Sequence, residues 1–545
     1  MNGTMGADAV PADLFAAFTR YEAAVVANDL DHLGAAFAPG EATMRGDGAG
    51  LLVGHAAISA FRGTRGGVPP RHIERIEYRE LGPDVALLVS VSRYDAGGTG
   101  LQTQVWERTD GSWRITAAHV TPRAAALDRR IWRTVGDPLV PGASDGPLAG
   151  LTVAVKDLFA IAGHPVGAGN PTYLDGRRPE TSTAPAVSDL LRGGAVVRGI
   201  ARTDEFAYSI AGDNTHYGTP PHGALPGALP GGSSSGPAAA VATGQAEIGL
   251  ATDTAGSVRV PASYQGLWGL RTTHGLVPRQ GLLPLAPSFD TVGWLTRDGD
   301  ALQRVVDWCL GDAGARAAES VDGDSGHDLP WRFVVPTDLL ALAEPETRAA
   351  FEQMLDTLAQ TAEPPQLGTV SIGDPDAYLT AFRTVQGAEA WSHHGPWIQE
   401  HPGALGPAVA ERFRAAARIT AEDEADARAA LTPRGDLLRG IVEDAVLLLP
   451  TVPGPAPSRA GGGDQVDAVR AATLRLTTPA AVAGLPALSV PLLTVISPLG
   501  AVPVGVSLVA RAGADVALVR LARRLARALG PATDTTTTTT GGLPA

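Results

Sequence analysis

A glycine- and serine-rich stretch between segments of buried character constrains this chain more than any other feature. Residues 231–263 read GGSSSGPAAAVATGQAEIGLATDTAGSVRVPAS. Glycine permits backbone conformations that a side chain forbids, and Pro237 suits the first turn of a helix, where no N–H is needed. A strand-length apolar run, 248–251, follows the alanine helix, and a second serine-bearing turn, 253–257, follows the run. The pattern therefore predicts turn, helix, strand and turn in succession.

Serines on tight turns between buried elements are typical of nucleophilic catalysis, because such a turn presents a hydroxyl beside backbone N–H groups that can receive an oxyanion. Two other interpretations compete with this one. A flexible Gly/Ser linker is disfavoured because an apolar helix and strand follow at once. A phosphate-binding loop is disfavoured because no Gly-Lys-Ser/Thr ends the glycine run. The stretch therefore favours a serine nucleophile.

These residues resemble the amidase signature family, in which GGSSGGS is followed, after an alanine helix, by GTDTGGSIRIPAS. A second match is the apolar run 151–159, LTVAVKDLF. The resemblance implies an α/β amidase-signature fold with a mixed central sheet covered by helices. It also implies a Ser–cis-Ser–Lys triad, in which Ser257 is the nucleophile, Ser233 relays protons and Lys156 is the base.

The resemblance implies further roles around the triad. Three backbone N–H groups are expected to receive the oxyanion, those of Thr254, Ala255 and Gly256. Three side chains are expected to support the loop by hydrogen bonds, those of Ser234, Asp253 and Arg259. The chain departs from the family pattern at Ala255, where a glycine is usual, and at Pro237, where a small polar residue is usual.

Lysine accepts a proton only when it is neutral, and burial favours the neutral form by lowering the pKa. Asp157 is adjacent to Lys156 in sequence. Successive side chains of a strand point to opposite faces, so we expect Asp157 not to keep Lys156 charged.

The first 121 residues carry a different pattern. Helical periodicity over 11–38 is followed by four strand-like runs, which is an α+β arrangement. The runs are Ile73–Leu81, Val85–Tyr94, Gly100–Glu107 and Trp113–Val120. Together with Gly54-His55-x-x-Ile58 and Gly111-x-Trp113-Arg-Ile, the segment resembles the SnoaL-like branch of the NTF2-like cone fold.

That branch includes small amide-hydrolysing enzymes of s-triazine breakdown, which use a tyrosine and an arginine inside the cone. The resemblance places Tyr21 and Arg45 in a possible N-terminal pocket. In the alternative interpretation Tyr21 is an aromatic residue of the helix core and Arg45 is a charge on a surface loop.

Breaks in periodicity divide the chain into four parts. We expect an NTF2-like α+β domain over 1–123, a turn-rich linker over 124–148, an amidase signature domain over 149–533 and a disordered tail over 534–545. Within the amidase domain, residues 340–432 have helical character. The resemblance implies that this region walls the substrate pocket.

Charge and composition limit the classes of binding partner and of metal site that this chain can have. A net charge of −14 without a basic patch disfavours nucleic acid and anionic membranes. The single cysteine, Cys309, excludes an internal disulfide and a multi-cysteine metal site. We expect no metal and no cofactor. No secretory pattern occupies the first fifteen residues and no run of eighteen apolar residues occurs, so a cytoplasmic enzyme is expected.

The expected function is hydrolysis of a small-molecule carboxamide to a carboxylate and ammonia or amine, through an acyl-enzyme on Ser257. Residues 151–307 look closest to the indole-acetamide hydrolase branch of the family. Two alternatives stay open: an amidotransferase-type subunit that supplies ammonia, which the acidic charge disfavours, and a hydrolase of urea- or carbamate-type substrates in which the N-terminal domain takes part. The N-terminal sheet is expected to make the protein a homodimer.

Overall fold

In this computed structural model the described residues are 10–47, 50–65, 68, 71–94, 99–121, 128–319, 328–461, 463–497 and 500–530. The chain divides into two compact units, Met1–Asp128 and Arg129–Ala545. The tail expected over 534–545 lies outside the described residues. No helix within them is long and apolar enough to cross a membrane.

The N-terminal unit packs three helices against a six-stranded sheet. The helices are α1 (Ala12–Ala27), α2 (Leu30–Ala36) and α3 (His55–Arg65). The strands are β1 (Met44–Asp47), β2 (Gly50–Val53), β3 (Arg71–Gly82), β4 (Val85–Tyr94), β5 (Thr99–Thr109) and β6 (Ser112–Thr121). Their order is β2-β1-β6-β5-β4-β3, and all neighbours are antiparallel except the parallel pair β1 and β6.

Alternation along β4 and β5 gives this sheet one core face and one outer face. Ala86 and Leu88 of β4 and Trp106 of β5 are buried in the core with residues of α1. The α+β arrangement that the sequence predicts is therefore present, with strands close to the four predicted runs.

The larger unit is built on an eleven-stranded mixed sheet. The strands are β7 (Trp132–Val140), β8 (Thr152–Lys156), β9 (Val196–Ala201), β10 (Ile248–Asp253), β11 (Trp268–Arg271), β12 (Thr291–Thr296), β13 (Arg332–Pro336), β14 (Gln366–Val370), β15 (Val446–Pro450), β16 (Ala487–Ser497) and β17 (Gly500–Val509). Their order is β14-β13-β15-β17-β16-β11-β12-β10-β8-β9-β7. The mixed sheet predicted from the sequence is confirmed.

Twelve α-helices are described in this unit. They are α4 (Pro171–Asp175), α5 (Pro185–Arg192), α6 (Ser235–Ala242), α7 (Arg259–Gln265), α8 (Gly299–Glu319), α9 (Thr337–Leu340), α10 (Pro345–Ala359), α11 (Pro375–Glu400), α12 (Pro407–Ala416), α13 (Ala421–Ile441), α14 (Gly463–Val482) and α15 (Asp515–Leu529). Apolar residues of α5, α8, α10 and α15 share the largest core cluster with the central strands. The helix α11 packs against α12, α13 and α14.

The linker expected over 124–148 requires correction. Residues 132–140 form β7, which pairs with β9 at the edge of the large sheet. Ile131, Trp132 and Leu148 are all at most 2% exposed. The second unit therefore begins at Arg129 rather than at residue 149.

The region 340–432 is helical as expected over α10 to α13, with one exception. Residues 366–370 form β14, an edge strand with a mostly exposed burial pattern. None of its residues is buried, so the apolar signal that marks a strand in a sequence is weak here.

Candidate active site

The two serine-bearing turns meet at the carboxyl ends of two parallel strands. Lys156 is the last residue of β8, and Asp253 is the last residue of β10. The strands pair in parallel, with Val155 opposite Leu250. Carboxyl ends of parallel strands lie at the same edge of a sheet, so Lys156 meets the groups that follow β10.

Lys156 is fully buried among hydroxyl groups. Its Nζ donates to the side-chain oxygens of Ser233 at 2.8 Å, Ser234 at 2.9 Å and Thr252 at 2.8 Å. Burial lowers the pKa of Lys156 to about 7, although the nearby carboxylates Asp204, Asp253 and Asp290 act in the opposite direction. A substantial fraction of Lys156 is therefore neutral at neutral pH.

Asp157 points away from this cluster, as expected. It forms an ion pair with Arg133 at 3.0 Å and accepts a hydrogen bond from the Gly167 N–H at 2.9 Å. The alternation of side chains at the end of β8 thus separates the carboxylate of Asp157 from the amine of Lys156.

The first turn is held tightly from both sides. The peptide bond between Gly232 and Ser233 is cis. The Ser233 carbonyl accepts from the Thr203 hydroxyl at 2.8 Å and the Asp204 N–H at 3.1 Å. A Cβ on Gly232 would lie 2.2 Å from an Asp204 carboxylate oxygen, so only glycine fits there.

Ser257 lies in the second turn and is 3% exposed. Its carbonyl accepts a hydrogen bond from the Ser234 N–H at 3.2 Å, which joins the two turns. Together with Thr254 and Ala255, it lines a cavity of about 400 Å³. A serine that lines a small cavity and lies in a turn hydrogen-bonded to Ser234 of the buried lysine–serine cluster has an arrangement suited to nucleophilic attack.

The backbone of the second turn corrects one expected role. The Gly256 N–H donates to the Asp253 carboxylate at 2.8 Å, so this N–H is engaged rather than open to an oxyanion. Gly256 has φ +125°, and a Cβ there would approach the Thr477 hydroxyl at 2.9 Å. Glycine is thus required at position 256 by conformation and by space.

Ala255 occupies a position where the family pattern has glycine. Its φ is not in the left-handed region, so its methyl group is accommodated without backbone strain. The residue packs in an apolar cluster with Phe382 of α11 and Leu474 of α14. Ala255 therefore packs the turn 253–257 against the helices that line the cavity.

Asp253 organises this turn through a buried charge cluster. The Arg259 guanidinium donates to it from Nε and Nη2, both at 3.0 Å, and Arg271 donates from Nη1 at 3.2 Å. Although burial opposes ionisation, the two guanidinium groups hold the pKa of Asp253 well below its usual range. The carboxylate is thus a fixed anion that positions the backbone of 253–259.

Sequence reasoning missed several supporting residues. Thr252 belongs to no recognisable motif, yet its hydroxyl oxygen accepts a hydrogen bond from Lys156. Arg271 is distant in sequence from Asp253, and Asp290 accepts from the Thr254 hydroxyl at 2.6 Å. Strand alternation does not indicate Thr252 either, because the register that pairs Leu250 with Val155 puts Ala251, not Thr252, beside Lys156.

The helical region expected to wall the cavity does so in part. Residues of α11 and α12 line it, and Arg470 and Leu474 of α14 complete the wall from outside the expected range 340–432. Arginines contribute three of the lining side chains, namely Arg383, Arg412 and Arg470.

In the N-terminal unit, Tyr21 is 3% exposed and contacts the rings of Phe37 and Trp106 edge-on. Its hydroxyl accepts from Arg62 at 2.9 Å. Arg45 lies on β1 and is 3% exposed, so it is not a charge on a surface loop. It pairs with Asp47 at 2.7 Å. Among the described residues, no hydrogen bond, ion pair or ring contact joins Tyr21 to Arg45.

Within the described ranges, no group of three or more His, Cys, Asp or Glu side chains could hold a metal ion. Cys309 is a free thiol whose pKa burial raises to about 12.

Comparison with known proteins places this geometry in a family. An Amidase model matches residues 108–519, more than half of the chain. The chain belongs to the amidase family. Amidase 1 of Oryza sativa subsp. japonica is 34% identical over 417 residues, which cover 71% of this chain and 93% of that protein. The 2-amino-5-chloromuconic acid deaminase of Comamonas testosteroni is 33% identical over 72% of this chain and 81% of its own length.

Solved amidase structures agree with this assignment. A crystal structure described as an amidase has a TM-score of 0.62 and 28% identity, covering 73% of this chain and 91% of its own. A structure from a vestigial protein complex, described as revealing the evolutionary origins of an s-triazine catabolic enzyme, has the same TM-score and identity and covers 70% and 85%. Family membership and these relatives establish amide hydrolysis as the reaction class of this amidase.

A second model, AtzH-like, matches residues 4–125, so an AtzH-like domain precedes the amidase domain. Its match ends close to the boundary between the two compact units at Asp128.

Proposed function

We propose that this amidase hydrolyses a small-molecule carboxamide through an acyl-enzyme on Ser257, with Ser233 and Lys156 as the other members of the triad. The observation that carries the proposal is the buried Lys156, which donates to Ser233 at 2.8 Å and has a pKa lowered to about 7. A neutral amine in this position can accept a proton that passes from Ser257 through Ser233.

The chemical steps follow from that proton path. The Ser257 oxygen attacks the amide carbonyl as its proton moves to Ser233 and the proton of Ser233 moves to Lys156. The N–H groups of Thr254 and Ala255 are assigned to the oxyanion, because the Gly256 N–H is bonded to Asp253. The proton returns through Ser233 to the leaving nitrogen, the C–N bond breaks, and water then releases the carboxylate from Ser257.

Replacement of Ser257 by alanine tests the nucleophile. We expect Ser257→Ala to lower ammonia release by at least about 1000-fold, because the attacking atom is removed. Ser188→Ala, on α5 and outside the cavity lining, is the matched control and should retain wild-type activity. Intact mass during turnover should show a covalent acyl adduct on wild type only. Near wild-type turnover by Ser257→Ala would refute the assignment.

The substrate panel for this test spans neutral primary amides, carboxylated amides, ureas and carbamates. It includes indole-3-acetamide, because the resemblance to the indole-acetamide hydrolase branch predicts that substrate. It also separates linear amide hydrolysis from the urea- or carbamate-type alternative.

We also propose that the AtzH-like unit is an NTF2-like cone that pairs two chains through its sheet. The outer face of β4 and β5 supports this, since it presents half-buried Leu87, Val89 and Val91 and the 43% exposed Leu101. In register, Val91 lies opposite Leu101 and Leu87 opposite Val105, so these apolar side chains form one continuous face.

In the second candidate function, the N-terminal unit takes part in the hydrolysis of urea- or carbamate-type substrates. Its inner face holds the buried hydroxyls of Ser90 and Ser92, which have no hydrogen-bond partner among the described residues. Buried polar groups without partners favour a bound polar ligand. If Tyr21→Phe and Arg45→Ala in the full chain abolish turnover of a urea or carbamate but spare a simple amide, this second function is supported; unchanged turnover of every substrate refutes it.

A further inference from the structure

Three arginines from three different helices face the cavity of Ser257. Arg383 lies on α11, Arg412 on α12 and Arg470 on α14. Among the residues that line the cavity in the described part of the chain, none is aspartate or glutamate. The wall is thus strongly cationic in a protein whose net charge is −14.

No described carboxylate forms an ion pair with any of the three guanidinium groups. Arg412 donates from Nη1 to the Tyr208 carbonyl at 2.6 Å. The Nε of Arg470 is buried without a hydrogen-bond partner among the described residues. Three aspartates act electrostatically on Arg412, namely Asp204, Asp213 and Asp467, and Asp467 also acts on Arg470. None of them is within ion-pair distance of these guanidinium groups. The wall therefore has unused hydrogen-bonding capacity.

The three guanidinium groups also repel one another, which makes their unpaired positive charge more unfavourable. Burial, followed by the positive charges of Arg412 and Arg383, lowers the pKa of Arg470 to about 10. Burial also lowers the pKa of Arg383 and of Arg412. All three remain charged at neutral pH. Partly desolvated like charges on one wall are unfavourable unless an anion binds between them.

A neutral amide would leave this wall unsatisfied. Its carbonyl is received at the catalytic turn, and its amine leaves near Ser233, so neither part requires three cations. Guanidinium groups match a carboxylate in planar geometry and bind it with paired hydrogen bonds. The cavity volume of about 400 Å³ accommodates a small substrate with a carboxylate at one end and the amide at the other.

We propose that Arg383, Arg412 and Arg470 form a carboxylate subsite, and that the substrate is a small amide bearing a carboxylate, such as the monoamide of a dicarboxylic acid. This inference rests on the proposed function, because it assigns the substrate class of the same Ser257 site. A cavity with charged groups placed for one anion rejects the uncharged analogue, since the arginines are then left desolvated and unpaired.

Matched substrate pairs test the subsite. Succinamate, glutaramate and adipamate each carry one amide and one carboxylate, and the corresponding diamides are their uncharged partners. We expect wild type to favour the charged member of at least one pair by 10-fold or more in kcat/KM. Equal or better turnover of the diamide in every pair would overturn the proposal.

Variants of the arginines test whether these side chains cause the preference for the charged amide. Arg412→Gln and Arg470→Gln should each lower kcat/KM for the charged amide by about 10- to 100-fold, mainly through KM, and should leave the diamide within a few-fold. The control is Arg414→Gln, because Arg414 lies two residues further on α12 and forms an exposed ion pair with Glu411. Equal losses on both members of a pair would contradict a carboxylate subsite.

A binding measurement separates this inference from the proposed function. Succinate, glutarate and adipate are titrated calorimetrically into Ser257→Ala, with and without Arg470→Gln, and sulfate serves as the inorganic anion. Dicarboxylate binding that Arg470→Gln removes supports the subsite even if no amide is hydrolysed, in which case the proposed function alone fails. Absence of dicarboxylate binding, or equal binding of sulfate, refutes the subsite even if neutral amides are hydrolysed.

Discussion

Lys156 can act as a base only in the fraction of molecules in which its amine is neutral. Its surroundings consist of three hydroxyl oxygens, and the carboxylates that raise its pKa do so less than burial lowers it. A lysine with a pKa of about 7 loses its proton as the pH rises through neutrality. In the proposed mechanism, the protonation state of this one side chain sets the lower pH limit of the reaction.

The pKa of Lys156 predicts the direction in which kcat/KM changes with pH. The neutral form of Lys156 is the active one, so kcat/KM should rise about 10-fold for each pH unit below 7 and level off above about 8. Initial rates of ammonia release across pH 5.5–9 measure the profile. A flat profile, or one that falls as the pH rises through 7, would contradict a neutral lysine base.

A second residue-scale prediction concerns the buried charges beside the nucleophile. Arg271→Met removes one of two cations that balance Asp253, and breaking a buried pair in this way costs about 3–5 kcal/mol. We expect that loss in the free energy of unfolding, measured by urea denaturation. Arg414→Met, at an exposed ion pair with Glu411, should change it by less than about 1 kcal/mol. Equal effects of the two variants would refute the special role of Asp253.

At the scale of secondary-structure elements, the sequence predicted the helices and strands whose characteristic residues lie within one short stretch. The helix α6 and the strand β10 were evident because small residues, an apolar run and turn residues follow one another within about thirty positions. The same stretch predicts Ser233 and Ser257 as members of the triad. The arginine wall was not evident, because Arg383, Arg412 and Arg470 lie on separate helices and no spacing in the sequence relates them.

The strand β7 was missed for a physical reason. Asp137-Pro and Val140-Pro-Gly read as breaks, since proline cannot donate to a ladder. An edge strand needs hydrogen bonds on one side only, so proline is tolerated there. The interpretation of 124–148 as a linker applied a rule for central strands to a strand at the edge.

Two shortened chains test whether β7 belongs to the amidase unit. A chain that begins at Arg129 retains Ile131 and Trp132, which are 0% and 2% exposed. We expect it to fold and to hydrolyse a simple amide. A chain that begins at Ala149 loses both side chains and the pairing with β9, which should cost at least about 3 kcal/mol of stability. Equal melting temperatures of the two chains would contradict this account.

At the scale of the whole molecule, the expected homodimer depends on the outer face of β4 and β5. Leu101→Arg places a charge on that face opposite Val91, so we expect it to convert a dimer to a monomer without loss of amide hydrolysis. Light scattering after size exclusion measures the mass.

The control for this prediction is Leu51→Arg, on the edge strand β2, where Leu51 is 65% exposed. It should leave the dimer intact. A monomeric wild type would refute the dimer, and a monomer produced only by Leu51→Arg would place the interface at the edge of the sheet.

The proposed catalytic groups and the proposed recognition groups of this amidase come from separate parts of its chain. Lys156 and Ser257 adjoin the ends of two sheet strands, whereas the arginines of the cavity belong to α11, α12 and α14. Substitutions in those helices can accumulate without displacing the triad. During evolution, the range of compounds that such an enzyme accepts can therefore change through the helices alone, while the inherited residues that cleave the C–N bond stay the same.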